Sequence, residues 1–109
     1  MAQLFNKEYG LLTNSGSSAN LLMMLALTSK RGLNLPKGTK VITPIAGFPT
    51  TINPIIQLGF KPVFVDVGLT TYVPTVEDII AAIDNNVKAI MVPNLIGNKP
   101  DWTKLKHEL

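Results

Sequence analysis

VITPIAGFPTTINPIIQLGFKPVFVDV, residues 41–67, holds a strand, a helix and a second strand in that order. Val41-Ile42-Thr43-Pro44 reads as a short buried strand. Phe48-Pro49 then opens a helix, with proline in the first turn, where its missing N–H costs nothing. Ile52, Ile55 and Ile56 recur at a core-facing helical spacing, and Gly59 ends the segment. The internal Pro54 interrupts this pattern, because proline removes one helical hydrogen bond. Pro62 to Val67 (PVFVDV) is a near-continuous apolar run, the mark of a strand covered on both faces. Strands joined through helices of this length imply right-handed crossovers and parallel pairing.

The flanking sequence repeats the alternation. Upstream of this unit, a short apolar Leu11-Leu12 and the stretch NSGSSAN lead into ANLLMMLALTSK, residues 19–30, rich in helix formers and stopped around Gly32. RGLNLPKGTK, residues 31–40, is a turn-rich connection. Downstream, Thr75-Val76-Glu77-Asp78 resembles a capping box with Asp in place of Glu, and it starts a helix with Ile79, Ile80 and Ile83 on one side. Lys88 to Pro93 (KAIMVP) is a further buried strand, and Pro100-Asp101 starts a last helix. The expected class is α/β: three layers, with a mostly parallel sheet sandwiched by helices. There are no internal repeats or low-complexity segments.

Composition narrows the function. Hydrophobic residues make up 46% of the 109 and charged residues 16%, which excludes a disordered chain. A short chain has little interior for so much apolar surface, which suggests that part of it meets further sequence or a partner subunit. An α/β domain rich in buried strands accounts for it equally well. The net charge is +3, with Lys99, Lys104 and Lys106 near the end, but no basic run is interleaved with aromatics, so no nucleic-acid partner is expected. The absence of cysteine removes disulfides, thiolate metal sites and cysteine nucleophiles, and a single histidine, His107, removes a multi-histidine metal centre. No charged leader precedes an apolar core, and the longest apolar run, Leu21 to Leu27, is far short of the roughly 20 residues of a membrane span. A soluble cytoplasmic protein without a membrane partner is expected.

Three segments could carry chemistry. Asn14-Ser15-Gly16-Ser17-Ser18 lies at a helix start, where free N–H groups, the helix dipole and serine hydroxyls suit a phosphate. A plain serine cap would look the same. Gly47-Phe48-Pro49-Thr50-Thr51 follows a buried strand, at the carboxyl end where ligands of open α/β sheets bind. Phe48 offers a flat face for stacking, or else a hydrophobic staple or core contact. Asn94-Leu95-Ile96-Gly97-Asn98 also follows a strand, and binds polar groups or simply makes a turn. Asp66, inside an apolar run, is either paired or at the strand's end. Glu77 and Asp78 read as helix-start acids, and His107 as a solvated surface residue.

Taken together, NSGSSANLLMMLAL, VITPIAGFPTTINPIIQLGFKPVFVDV and KAIMVPNLIGNKPDW resemble, in order and over nearly the whole chain, the DegT/DnrJ/StrS family. These are sugar aminotransferases and dehydrases of the type I pyridoxal 5′-phosphate (PLP) fold. The AGFPTT and NLIGNKPDW versions look closest to the 3-dehydrases of 4-keto-6-deoxy sugars, whose type example acts on CDP-4-keto-6-deoxyglucose. The resemblance implies that Gly16, Ser17 and Ser18 form the phosphate-binding turn and that Phe48 stacks on the pyridine ring. Asn94 falls where many members have the histidine of a V-H-x-x-G motif, which favours the dehydrase branch and implies a substrate-binding role. Gly68 replaces a frequent second aspartate after Asp66.

The family also implies what residues 1–109 would not contain. No catalytic residue is expected here: the aspartate that bonds the pyridine nitrogen lies after Leu109, as does the lysine that holds PLP, or the histidine that replaces it in 3-dehydrases. The chain is therefore expected to be the N-terminal portion of the cofactor-binding large domain, inactive by itself. The implied activity is C3 dehydration of a nucleotide-linked 4-keto-6-deoxy sugar with pyridoxamine 5′-phosphate (PMP), in deoxysugar or lipopolysaccharide biosynthesis. A homodimer and a [2Fe–2S] reductase partner go with it. The alternatives are a PLP-dependent sugar aminotransferase and a non-catalytic remnant or structural module. A nucleotide-binding domain of the doubly wound type has less support, because no GxGxxG fingerprint is present.

Overall fold

The structure is a computed structural model and describes residues 2–109. Strands β1 (Lys40–Pro44), β2 (Lys61–Val65) and β3 (Val87–Ile90) form one parallel sheet in the order β2-β1-β3. Around it lie helices α1 (Gly16–Thr28), α2 (Pro49–Gln57), α3 (Val76–Ala81) and α4 (Trp102–Glu108). Among the described residues, no helix is long and apolar enough to cross a membrane.

Side-chain alternation along β1 divides the interior in two. Val41 packs with Met24 of α1, Ile55 of α2, Phe60 and Met91. Its neighbour Ile42 packs on the other face with Val65, Val76 and Ile79 of α3, and Leu105 of α4. Both β1 residues are fully buried, so the sheet is the middle of three layers. The chain runs from β1 outward to β2, then back past β1 to β3. Two crossovers of the same hand in opposite directions must lie on opposite faces, and α2 and α3 do.

The helix ends follow local chemistry. Thr75 caps α3 by accepting the Asp78 N–H at 3.1 Å, and Asp101 caps α4 by accepting the Lys104 N–H at 2.9 Å. At the end of α2, Gly59 takes φ 79°, the left-handed conformation that glycine adopts without a steric penalty. Its N–H then reaches the Ile56 carbonyl at 3.0 Å, and the Phe60 N–H reaches that of Ile55 at 2.9 Å. This is a Schellman closure, and the Ile55–Phe60 contact that accompanies it lies in the core.

Several sequence expectations are revised. Helix α1 ends at Thr28, with Ser29 already extended at ψ 134°, rather than running through Lys30. β2 is not covered on both faces. It is an edge strand in which Val63 and Val65 face the α3/α4 side while Phe64 remains 45% exposed, and an edge also tolerates Pro62. Nor is β3 buried throughout; it is the opposite edge, with Lys88 exposed and a register shift beside it. In α2 the core face is Thr51, Pro54 and Ile55, and Ile56 points outward. Asp66 lies past the end of β2, exposed, with its Oδ1 accepting the Val67 N–H at 2.8 Å. At Gly68 a Cβ would lie 2.5 Å from Thr71 Oγ1, so a side chain there would force Thr71 aside. His107 is exposed.

Among the described residues, two surface ion pairs tie elements together: Lys40 with Asp84, and Lys104 of α4 with Glu77 of α3. The hydrogen bond from Lys104 holds the Glu77 carboxyl below its ordinary value and raises Lys104 itself. A carboxyl lowered on folding stabilises above its unfolded pKa, and that contribution is lost as pH falls through the folded one. A raised ammonium stabilises below its unfolded pKa, and that contribution is lost as pH rises through the folded one. The pair therefore acts between roughly pH 4 and 10. Solvent screens both groups, so Lys104→Ala is expected to lower the unfolding midpoint slightly at pH 7 and not at pH 3. An equal loss at both pH values would assign the effect of Lys104 to packing.

Candidate functional site

Helix α1 begins in a serine cluster whose hydrogen bonds are directional. Ser15, in extended conformation, accepts the Ser18 N–H on its Oγ at 3.2 Å, and its carbonyl accepts the Ala19 N–H at 3.0 Å. The Ser15 hydroxyl donates to Ser18 Oγ at 3.1 Å, which leaves the Ser18 proton free to point elsewhere. The N–H groups of Gly16 and Ser17 have no acceptor among the described residues. Two free donors at the positive end of a thirteen-residue helix, beside two hydroxyls, have the chemistry that suits an anion.

These serines face α2. Ser17, Ser18 and Leu21 line one side of a cleft of about 240 Å³, and Thr50, Asn53, Pro54 and Gln57 line the other. A Cβ on Gly16 would meet nothing within 4 Å, so the space over the helix start is open.

Phe48 caps the start of α2 through its backbone, its carbonyl accepting the Thr51 N–H at 3.0 Å. The residue is 68% exposed, which removes the core and staple readings and leaves an aromatic side chain uncovered beyond the carboxyl end of β1. Asn94 follows β3 and accepts the Gly97 N–H on its carbonyl at 3.1 Å, so the turn reading of this segment is correct for its backbone. Asn94 lines a second cleft, of about 230 Å³, with Asn20, Met23, Thr51 and Met91. Ser17 and Ser18 thus converge with Thr50, with Gly16 next to them at the start of α1, while Asn94 lines the second cleft and Phe48 lines neither.

A residue that the sequence does not mark bridges the two helices. Asn20 of α1 donates its Nδ2–H to the Thr50 carbonyl of α2 at 3.2 Å. Thr50 is the residue four before Pro54, which has no N–H to offer it. Asn20 also lines the Asn94 cleft. A lone polar residue in the apolar run of α1 and a proline inside α2 were the two available signals, but their pairing across thirty residues is tertiary.

Comparison with known proteins decides the family. Residues 1–107 match the DegT/DnrJ/EryC1/StrS aminotransferase family. The chain belongs to this family. Among its members, the dTDP-4-dehydro-2,6-dideoxy-D-glucose 3-dehydratase of Saccharopolyspora spinosa is 48% identical over 99 residues, which are 89% of this chain and 21% of that protein. The lipopolysaccharide biosynthesis protein RfbH of Salmonella typhimurium is 54% identical over 100 residues, 90% of this chain and 23% of that one. Among solved structures, the GDP-4-keto-6-deoxy-D-mannose-3-dehydratase of E. coli with bound hydrated PLP matches with a TM-score of 0.74 and 36% identity, over 82% of this chain and 23% of that one. The chain therefore spans less than a quarter of the length of these relatives. The parallel α/β sheet described above matches part of the fold of that E. coli enzyme, solved with PLP, as the resemblance implied.

Proposed function

We propose that the protein carrying this chain is a PMP- or PLP-dependent enzyme acting on nucleotide-linked 4-keto-6-deoxy sugars by C3 dehydration, in deoxysugar or lipopolysaccharide biosynthesis. Residues 1–109 are part of its cofactor-binding large domain. The observation that carries this reading is the pair of free N–H groups at Gly16 and Ser17, at the start of α1, beside Ser17 and Ser18, which line the cleft that α1 shares with α2. That donor set fits a phosphate monoester. The two 3-dehydratases and RfbH among the relatives support the reaction class.

Each residue then has a task. Gly16, Ser17 and Ser18 anchor the cofactor phosphate, and the exposed Phe48 side chain orients the pyridine ring and shields it from water. Asn94 supplies amide donors and an acceptor to a polar substrate from the second cleft. When bound, the cofactor's ring provides an electron sink for proton removal next to it. The transfer of that proton is assigned to none of Gly16, Ser17, Ser18, Phe48 and Asn94. The apolar outer face of α1, where Leu21, Leu22, Met23 and Leu25 are all exposed and only Met24 is buried, supports a homodimer or packing by further sequence. A cytoplasmic location and a [2Fe–2S] reductase partner complete the proposal.

The test uses the product of the complete reading frame. PMP and PLP are expected to bind and shift the cofactor absorbance, with pyridoxal, which lacks the phosphate, at least about a hundredfold weaker. Equal affinity for PLP and pyridoxal would remove the phosphate site. Incubated with a 4-keto-6-deoxy sugar nucleotide, the PMP form is expected to release one water from C3, as read by mass spectrometry. Gain of an amino group at C4 instead would establish the second reading, a sugar aminotransferase, which the family's name favours.

A further inference from the structure

Helices α1 and α2 each hold one half of the proposed cofactor site, and their cores touch through apolar side chains, Met24 against Ile55 and its neighbours. Such contacts fix the distance between two helices better than their sliding along each other. A phosphate-bearing ring compound spans both halves, so a slide would misalign one end. The only side-chain hydrogen bond joining α1 to α2 among the described residues is that from Asn20 Nδ2 to the Thr50 carbonyl. It lies one turn from the free N–H groups of Gly16 and Ser17 and two residues from Phe48. Pro54 makes the acceptor available, because it takes away the ordinary donor to Thr50.

We propose that Asn20 is a positioning residue that sets the register between the phosphate-binding turn and the Phe48 ring, through the carbonyl that Pro54 frees. This rests on the cofactor reading above. Pro54 and Asn20 are two parts of one device: the proline opens a socket in α2 and the amide fills it. A donor restored at position 54 makes the Asn20 amide dispensable.

The experiment is a double-mutant cycle in the product of the complete reading frame, with Asn20→Leu, Pro54→Ala and the two combined. Leucine keeps the approximate volume and loses the donor; Asn20→Asp serves as a second variant that keeps the shape and loses the N–H. Asn20→Leu is expected to weaken PMP binding about fivefold, the size of one net hydrogen bond. Pyridoxal, held only at the ring end, is expected to change less than about twofold. In the Pro54→Ala background the effect of Asn20→Leu on PMP is expected to fall below about twofold. The same cycle, read as the unfolding midpoint of the cofactor-free protein, is expected to show coupling of the same sign. A wild-type protein that binds no PMP overturns the cofactor reading and this inference with it. If the wild type binds PMP, two results overturn the positioning role alone. One is unchanged PMP affinity in both Asn20→Leu and Asn20→Asp; the other is an equal weakening by Asn20→Leu with and without Pro54→Ala.

Discussion

Gly16→Val in the product of the complete reading frame is expected to lower PMP affinity by at least about a hundredfold while leaving the protein folded. Position 16 is the first residue of α1, and a Cβ there meets no atom within 4 Å, so the fold has room for a side chain. Glycine is also among the poorest helix formers, and valine costs no more in helix propensity. Cβ atoms of a helix lean toward its N-terminus, so the isopropyl group stands in front of the free N–H groups of Gly16 and Ser17. A phosphate held there loses both charge-assisted hydrogen bonds, each worth roughly 1.5–3 kcal/mol. Ser17→Ala and Ser18→Ala, which remove one hydroxyl each, are expected to cost about tenfold. Titration with PMP and thermal unfolding without cofactor separate the two effects. Unchanged PMP affinity in a folded Gly16→Val protein would move the phosphate away from this helix start.

For stability, the largest single loss is expected at Ile42. It is fully buried on the middle strand, and its side chain meets Val65, Val76, Ile79 and Leu105 from one edge strand and two helices. Ile42→Ala removes apolar volume that rigid neighbours on three sides cannot refill, at a cost of about 3–4 kcal/mol. Against a typical total of roughly 5–15 kcal/mol, that loss takes away a large share of the stability. Ile56→Ala is the control. Its side chain is 57% exposed, and the expected change is within about 0.5 kcal/mol. Denaturant unfolding of both variants checks the contrast, and similar losses at the two positions would contradict the layer assignment.

That contrast marks the limit of reading α2 from sequence. Ile52, Ile55 and Ile56 have the same side chain and a helical spacing, but only Ile55 lies under α1 and over the sheet. Hydrophobic spacing defines a stripe on the helix; which edge of the stripe is covered depends on where the neighbouring helix crosses. The apolar run of β2 posed the same problem. Its composition matched a central strand, but chain order placed it at the edge, where Phe64 lacks a cover. In the candidate site, Gly16, Ser17, Ser18, Phe48 and Asn94 were all marked by residue type beside a strand or helix end. Asn20 was not, because its partner is a backbone carbonyl thirty residues away.

What the sequence alone determined was local: the alternation of strands and helices, the caps at Ser15, Thr75 and Asp101, the stop at Gly59, and a helix start with spare N–H donors. Each depends on hydrogen bonds and backbone preferences within about five residues, and those are encoded in neighbouring side chains. Its resemblance to a family added the chemistry. The tertiary structure decided the strand order, the covered face of each helix, the exposure of Phe48 and the Asn20–Thr50 link. These depend on which distant surfaces meet when the layers pack, and no window of sequence contains both sides of such a contact.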